Sequence, residues 1–265
     1  MRYLICSVPR SGSVLLGRLL RDTKLVGNPA EWLSLSTARE ESNEVSLFLE
    51  RFNVDSYKID NLNIGNSGVE VFDTPAELDS YLSCIEEVSS TNNIFGMKCH
   101  FNQFYYLARP WQDEARIEQF IRSFDKFILT SRKNKLEQAI SLYKAMHTGE
   151  WMIEPGKTQK EFSSYDYAAI NKAIIDLTVH ETGWKLLLEK YNIDYLEVVY
   201  EDFIADKQST LNKVFDHLGV QAPSDLPKDP IIKQGSTDNV SKFIEDYINE
   251  DFHRKYLNFF GKDLF

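Results

Sequence analysis

The feature that most constrains this chain is a short apolar run that leads, through a turn of small residues, into a helical pattern. Tyr3 to Val8 is apolar enough to form a buried strand. The turn Pro-Arg-Ser-Gly-Ser occupies residues 9–13, and apolar residues then recur at helical spacing from Val14 to Leu20. A strand, a tight turn and a helix in this order predict the opening unit of an α/β fold.

Later segments repeat the alternation of strand and helix. Strand candidates lie at residues 94–99, 126–131 and 195–200, and helix candidates at 74–88, 134–146, 165–191 and 207–218. Thr74, Pro75 and Glu77 form a capping box with proline at the first helical position. We therefore expect a single domain over residues 1–265. Its fold class would be a P-loop-like α/β three-layer sandwich, with a mostly parallel central sheet flanked by helices.

Composition limits the partners and the compartment. The 265 residues include 30 basic and 40 acidic side chains, a net charge of −10, which argues against nucleic acid or an acidic membrane as partner. Cys6, Cys84 and Cys99 are too scattered for a disulfide framework or a metal site. No apolar run approaches the length of a membrane helix. We expect a cytoplasmic protein without a membrane span.

The turn after the first strand has the chemistry of an anion site. Backbone N–H groups at a helix N-terminus point at whatever lies above it, and the helix dipole favours negative charge there. Arg10 adds a full positive charge, and Ser11 and Ser13 add hydroxyl donors around Gly12. The spacing differs from a Walker A loop because an arginine precedes the glycine. A tight turn with serine caps is the alternative, and the local pattern leaves both open.

Six features in order along the chain resemble PAPS-dependent sulfotransferases (PAPS is 3′-phosphoadenosine 5′-phosphosulfate), in particular the bacterial trehalose 2-sulfotransferase family. They are the 5′-phosphosulfate loop at residues 7–16, the G-x-P-x-E-aromatic segment at 28–32, the G-x-K segment at 96–103, Arg132 with Ser141, the Tyr-Glu-Asp segment at 199–203, and a C-terminal closing segment at 232–234 and 243–247. The resemblance spans nearly the whole chain.

The resemblance implies a donor site for PAPS, whose product is 3′,5′-ADP. It assigns the 5′-phosphosulfate to Arg10, Ser11, Gly12, Ser13 and Val14, the 3′-phosphate to Arg132 and Ser141, the adenine region to Tyr200, and the closing segment to Lys233 and Gln234. Spacing alone favours a surface arginine and a helix-interior serine for Arg132 and Ser141. The order of the six features reverses that preference.

The same resemblance gives two candidates for the general base. Glu31 occupies the position of the glutamate base in the trehalose 2-sulfotransferase family, whereas His100 occupies the Lys-x-His position of cytosolic aryl and steroid sulfotransferases. We predict that Glu31 is the base and that His100 binds the acceptor or orients Glu31. Lys98 and Arg10 would neutralise the sulfuryl oxygens and the leaving phosphate. We expect no metal, since two fixed cations suffice.

The predicted function is in-line transfer of a sulfuryl group from PAPS to a hydroxyl of a carbohydrate or glycolipid. Two other functions remain open from the residues: a small-molecule kinase that uses the same phosphate cradle, and a noncatalytic nucleotide-binding protein. Asn28 stands where the trehalose family has an acidic residue, so trehalose itself is not implied. A homodimer is implied by the resemblance alone.

Overall fold

A computed structural model gives the fold. It describes residues 1–50, 55–57, 69–72, 74–103, 113–152, 160, 162–225, 227 and 238–257. The chain divides into two compact units, Met1–Lys133 with Val179–Pro230 and Asn134–Thr178 with Ile231–Phe265. The single domain inferred from the sequence stays a prediction.

Each predicted strand and helix has a counterpart among the described elements, which also include strands and helices that the sequence did not predict. The strands are β1 Arg2–Ser7, β2 Asp55–Tyr57, β3 Val69–Val71, β4 Phe95–His100, β5 Lys126–Ser131 and β6 Leu196–Val199. The helices are α1 Ser13–Asp22, α2 Leu35–Glu41, α3 Asn43–Leu49, α4 Pro75–Ser89, α5 Glu114–Arg122, α6 Lys135–Thr148, α7 Tyr167–Lys190, α8 Tyr200–Ala205, α9 Lys207–Leu218 and α10 Asp238–Phe252, which continues into a π-helical turn, His253–Leu257.

A four-stranded parallel sheet organises the first unit. Its strand order is β4-β1-β5-β6, while β2 and β3 form a separate antiparallel pair. The chain adds β4 on one side of β1 and then β5 on the other, so the direction of winding reverses at β1. Ligands of open α/β sheets bind at the carboxyl ends of the strands beside such a reversal. The turn after β1 and the segment after β5 both lie there.

Each face of this sheet is covered by helices. Leu4 and Cys6 of β1 face a core built with helices α2 to α5 and with Trp184 of α7. Tyr3 and Ile5 alternate with them and face a second core built with α1, α8 and α9. This alternation of buried side chains is what a parallel sheet covered on both sides requires. The predicted α/β class, with a parallel sheet flanked by helices, is confirmed.

The second unit contains α6, the first part of α7 and α10. Tyr247 of α10 donates a hydrogen bond to Asn171 of α7 at 2.9 Å. Tyr167 donates to Asp251 at 2.7 Å, and its ring stacks on that of Tyr247 with centroids 5.0 Å apart. Paired aromatic rings with satisfied hydroxyls therefore join α7 to α10.

The predicted boundaries agree closely with the described elements. The capping box at Thr74 is present, with both reciprocal hydrogen bonds to Glu77. Within the described part of the chain, no helix is both long and apolar enough to cross a membrane. The cytoplasmic location stays a prediction.

Candidate active site

The turn after β1 is held in shape by left-handed backbone and by a buried serine. Arg10 has φ 63° and Gly12 has φ 83°, so the chain reverses within a few residues. Ser11 Oγ donates to the Val8 carbonyl at 2.8 Å and lies 2.8 Å from Thr130 Oγ1 of β5. The single hydroxyl hydrogen of Ser11 is thus used inside the turn. Donation to a ligand, as predicted from the sequence, would have to replace that bond.

Helix α1 begins at Ser13 with an open N-terminus. Gly12 is its N-cap and supplies no side-chain hydrogen bond. The first intrahelical bond runs from the Leu16 N–H to the Gly12 carbonyl, so the N–H groups of Ser13 and Val14 have no partner within the helix. Ser13 is buried and Val14 is half-buried beside it. Such an end binds anions through its N–H groups and its dipole.

Tyr200 packs between this turn and Arg132. A Cβ placed on Gly12 would lie 2.7 Å from Tyr200 Cδ2, so only glycine fits against the ring. The guanidinium carbon of Arg132 lies 4.4 Å from the centroid of the same ring, a cation–π contact. The order Gly12, Tyr200, Arg132 therefore links the ends of β1 and β5 through the first residue of α8.

Arg132 lies directly after β5 and is fixed by several contacts. Its Nη1 donates to the Arg10 carbonyl at 3.5 Å, and its Nε lies 3.7 Å from Glu201 Oε1. Glu201 Oε2 accepts from the Lys133 N–H at 3.0 Å. Burial, together with the charge of Arg132, lowers the pKa of Arg10 to about 10 against a smaller opposing effect of Tyr200. An anion between the two guanidinium groups would relieve this repulsion.

A second cluster lies at the carboxyl ends of β1 and β4. The Lys98 N–H donates to the Ala30 carbonyl at 3.0 Å, which brings the loop that carries Glu31 beside β4. Lys98 Nζ donates to Glu31 Oε1, and His100 Nε2 lies 3.3 Å from the same oxygen. Gln103 Nε2 donates to Glu31 Oε2 at 3.1 Å. Both carboxylate oxygens are therefore held.

Glu31 is ionised by this arrangement. Burial alone raises the pKa of the carboxyl group, but the charges and hydrogen bonds of Lys98 and His100 outweigh it and hold the pKa well below its usual range. The Lys98 side chain is only 4% exposed and that of Glu31 18% exposed, so water screens the pair little. The cluster supplies a carboxylate and an ammonium group in one half-buried place.

Ser7 completes this cluster and was not identified from the sequence. Its Oγ donates to the Cys99 carbonyl at 3.1 Å and lies 2.8 Å from His100 Nδ1. Ser7 and His100 are paired across β1 and β4. Ser7 reads as the polar end of an apolar strand, and only the strand register shows which side chain it meets.

Most of the predicted site residues fall into these two neighbouring groups. Arg10, Gly12, Arg132 and Tyr200 form one, and Lys98, Glu31 and His100 form the other. Ser141 lies on α6 of the second unit, and its pairing with Arg132 stays a prediction. Lys233 and Gln234 lie outside the described residues. No cluster of three or more potential metal ligands occurs among the residues the structure describes.

Comparison with known proteins places this geometry in context. The sequence profile described as Stf0 sulphotransferase matches residues 2–250. The trehalose 2-sulfotransferase of Mycolicibacterium smegmatis is 24% identical over 255 residues, which cover 92% of this chain and 93% of that protein. The trehalose 2-sulfotransferase of Mycobacterium tuberculosis is 23% identical over 256 residues, with the same coverage. A sulfotransferase structure from Alicyclobacillus acidocaldarius aligns with a TM-score of 0.49 at 14% identity, covering 95% of this chain and 92% of that one.

Proposed function

The chain belongs to the Stf0 sulphotransferase family, and from this we propose that it moves a sulfuryl group from PAPS to a hydroxyl of a carbohydrate or glycolipid. The observation that carries the proposal is the adjacency of the two groups of site residues. Arg10 and Arg132 lie beside the open N-terminus of α1, and Lys98 with Glu31 lies at the end of the neighbouring strand pair.

The first group suits a donor with two separated phosphate groups. The N-terminus of α1 and Arg10 would hold the 5′-phosphosulfate, because N–H groups and a guanidinium both bind anionic oxygens. Arg132 would hold the 3′-phosphate, with Ser141 beside it. Tyr200 would fix the direction of Arg132 through its ring. Lys233 and Gln234 would close over the donor, as the family resemblance implies.

The second group suits the transfer step. PAPS supplies an activated sulfuryl group whose sulfur is bonded to the 5′-phosphate oxygen. The oxygen of the acceptor hydroxyl forms a bond to sulfur while Glu31 takes the proton of that hydroxyl. The bond from sulfur to the phosphate oxygen breaks, which leaves 3′,5′-ADP. Lys98 and Arg10 balance the charge that builds on the sulfuryl and bridging oxygens. Positioning and charge account for this chemistry without a metal.

The acceptor class rests on the relatives, which are named for trehalose. Asn28 differs from the acidic residue of that family, and its side-chain amide donates to Glu41 at 3.4 Å. This contact directs Asn28 toward α2. A carbohydrate or glycolipid hydroxyl is therefore the proposed class, with the individual sugar left to experiment.

A PAPS-dependent screen over sugars and glycolipids, read by the mass of the sulfated product, tests this function. We expect 3′,5′-ADP to bind and ATP not to bind, which separates the proposal from a kinase. Arg132→Ala should weaken 3′,5′-ADP binding about 10- to 100-fold, since it removes charged hydrogen bonds to a phosphate. Lys133→Ala is the matched control, because the neighbouring Lys133 side chain is 62% exposed and pairs with Asp202.

Two results would count against the proposal. Binding of ATP in place of 3′,5′-ADP would favour the kinase. Binding of 3′,5′-ADP with no PAPS consumption for any acceptor would favour a noncatalytic nucleotide-binding protein. Glu31→Gln is expected to lower turnover about 100-fold or more, the usual contribution of a general base. If Glu31→Gln kept its turnover and His100→Ala lost it, His100 would be the base.

A further inference from the structure

The hydrogens around His100 can be assigned one by one from the contacts. Ser7 has a single hydroxyl hydrogen, and its Oγ lies 3.1 Å from the Cys99 carbonyl, which can only accept. The hydrogen therefore goes to Cys99. The 2.8 Å contact between Ser7 Oγ and His100 Nδ1 is then favourable only if Nδ1 carries a proton and donates it.

The other ring nitrogen of His100 is also engaged. Its Nε2 lies 3.3 Å from Glu31 Oε1, which can only accept, so this contact too is favourable only if Nε2 donates a hydrogen. Gln103 fixes the same carboxylate. Its Oε1 accepts from the backbone N–H of His100 at 2.9 Å, and its NH₂ group is therefore directed to Glu31 Oε2 at 3.1 Å. Both nitrogens of His100 thus face protein partners, and the ring is held between β1 and the loop that carries Glu31.

We propose that Ser7 is a positioning residue that keeps a proton on His100 Nδ1, so that His100 holds Glu31 in place and Glu31 takes the proton of the acceptor. The proposal rests on the sulfotransferase function given above. It adds Ser7 to the residues on which turnover depends, and of the two roles predicted for His100 it selects the orientation of Glu31. The role of Ser7 does not follow from the motifs, because the strand register is what brings Ser7 to His100.

Neighbouring side chains also fix Glu31 and Ser7. On β4, Lys98 Nζ contacts the same Glu31 oxygen as His100 Nε2. On α7, Trp184 donates its Nε1–H to the Ser7 carbonyl at 2.9 Å, which fixes the backbone of Ser7 without adding a charge. Ser7 is fully buried and His100 is 8% exposed, so water does not compete easily for these hydrogen bonds.

Nitrogen-15 spectra of histidine-labelled protein test the proton assignment without any need for activity. The chain has five histidines, and His100→Gln identifies the His100 signals by their loss. In the wild-type protein we expect Nδ1 of His100 to carry a hydrogen. Ser7→Ala should shift the ring toward the tautomer protonated on Nε2, whereas Ser7→Thr, which keeps a hydroxyl, should restore the wild-type pattern. A wild-type ring with unprotonated Nδ1 would overturn the proposal.

The rate of sulfuryl transfer supplies the second readout. Ser7→Ala should lower kcat about 10-fold at saturating PAPS, since a buried donor loses its acceptor. It should also move the acid limb of kcat to higher pH, because a loosened His100 no longer holds the pKa of Glu31 as far below its usual range. Ser89→Ala removes another buried serine hydroxyl, bonded within α4, and should change neither.

The two proposals fail in different ways. A wild-type protein that consumes no PAPS with any acceptor contradicts the sulfotransferase function, while the nitrogen-15 spectra still judge the role of Ser7 at His100. An active protein in which Ser7→Ala matches Ser89→Ala in rate, in acid limb and in the His100 spectrum contradicts the role of Ser7 alone.

Discussion

Gly12 shows how a single residue can serve both the backbone and a neighbouring side chain. Its φ of 83° lies in the left-handed region, where other residues are strained. The Tyr200 ring also occupies the space in which a side chain would lie. The two requirements are separable, because Gly219 has a similar φ of 69° with open space around it.

Gly12→Ala and Gly219→Ala should therefore differ in their effects. Both should lose about 1 kcal/mol of unfolding free energy from the left-handed backbone. Gly12→Ala should lose more, and it should also weaken 3′,5′-ADP binding, because the new methyl group displaces Tyr200 from Arg132. Urea unfolding and titration calorimetry measure the two quantities. Equal losses of stability with unchanged binding in both variants would show that the contact with Tyr200 has no role.

Which site residues the sequence could identify depends on how local their signal is. Arg10 lies in a turn between a strand and a helix, and Lys98 and Glu31 lie in motifs, so each was found by its neighbours in the chain. Contacts between residues far apart in the chain cannot be found in this way. The hydrogen bond from Ser7 to Cys99 and its contact with His100 depend on the register of two strands that lie far apart in sequence. No pattern in the chain reports that register.

At the scale of elements, side chains at the start of α8 bind the two residues that follow β5. Glu201, in the first turn of α8, reaches both Arg132 Nε and the Lys133 N–H. Asp202, the next residue, pairs with the exposed Lys133 side chain. Glu201 thus orients Arg132, the residue predicted to bind the 3′-phosphate, whereas Asp202 forms only a surface ion pair. Both acidic residues are equally favourable at a helix N-terminus.

Glu201→Gln and Asp202→Asn form a matched pair for this interface. Glu201→Gln should weaken 3′,5′-ADP binding about 3- to 10-fold, because the neutral amide no longer fixes Arg132 by charge. Asp202→Asn should leave binding nearly unchanged, since exposed ion pairs contribute about 0–1 kcal/mol. Calorimetric titration with 3′,5′-ADP compares them. A larger effect from Asp202→Asn would mean that net charge, and not the orientation of Arg132, controls the site.

Elements were predictable where their pattern was long or their ends were marked. β5 was predicted at residues 126–131 and is found at Lys126–Ser131, and α9 ends at Leu218 before Gly219 as expected. Helices α2 and α3 were missed. Each has seven residues. Ser42 follows the last residue of α2, and its hydroxyl caps the N-terminus of α3. A window of helical periodicity needs more residues than either provides.

At the scale of the whole molecule, α7 carries an exposed apolar stripe. Ile175, Val179 and Leu186 are 54%, 58% and 60% exposed, and because they are spaced four and seven residues apart they lie along one side of the helix. Isolated exposed apolar residues are ordinary, but a stripe of them on one long helix suits a second copy of the chain. The homodimer implied by the family resemblance stays a prediction, and we propose this stripe as its interface.

Sedimentation velocity tests the dimer. The wild-type protein should sediment as a dimer, and Val179→Glu with Leu186→Glu should sediment as a monomer, because charges would be buried in the interface. Ile248→Glu is the control, since this residue is similarly exposed, at 56%, but lies on α10. A wild-type monomer, or a dimer that survives both substitutions on α7, would contradict the interface.

The position of β1 in the middle of the sheet also determines when the site can exist. The turn after β1 contacts Arg132, which follows β5, and Tyr200, which follows β6. The residues predicted to bind the donor therefore come together only after most of the chain has been synthesised and folded. Contacts between such distant segments form late, because closing long loops is slow. A nucleotide that binds there recognises only the finished sheet. It would therefore act as a ligand of the native state alone and protect the protein against unfolding by mass action.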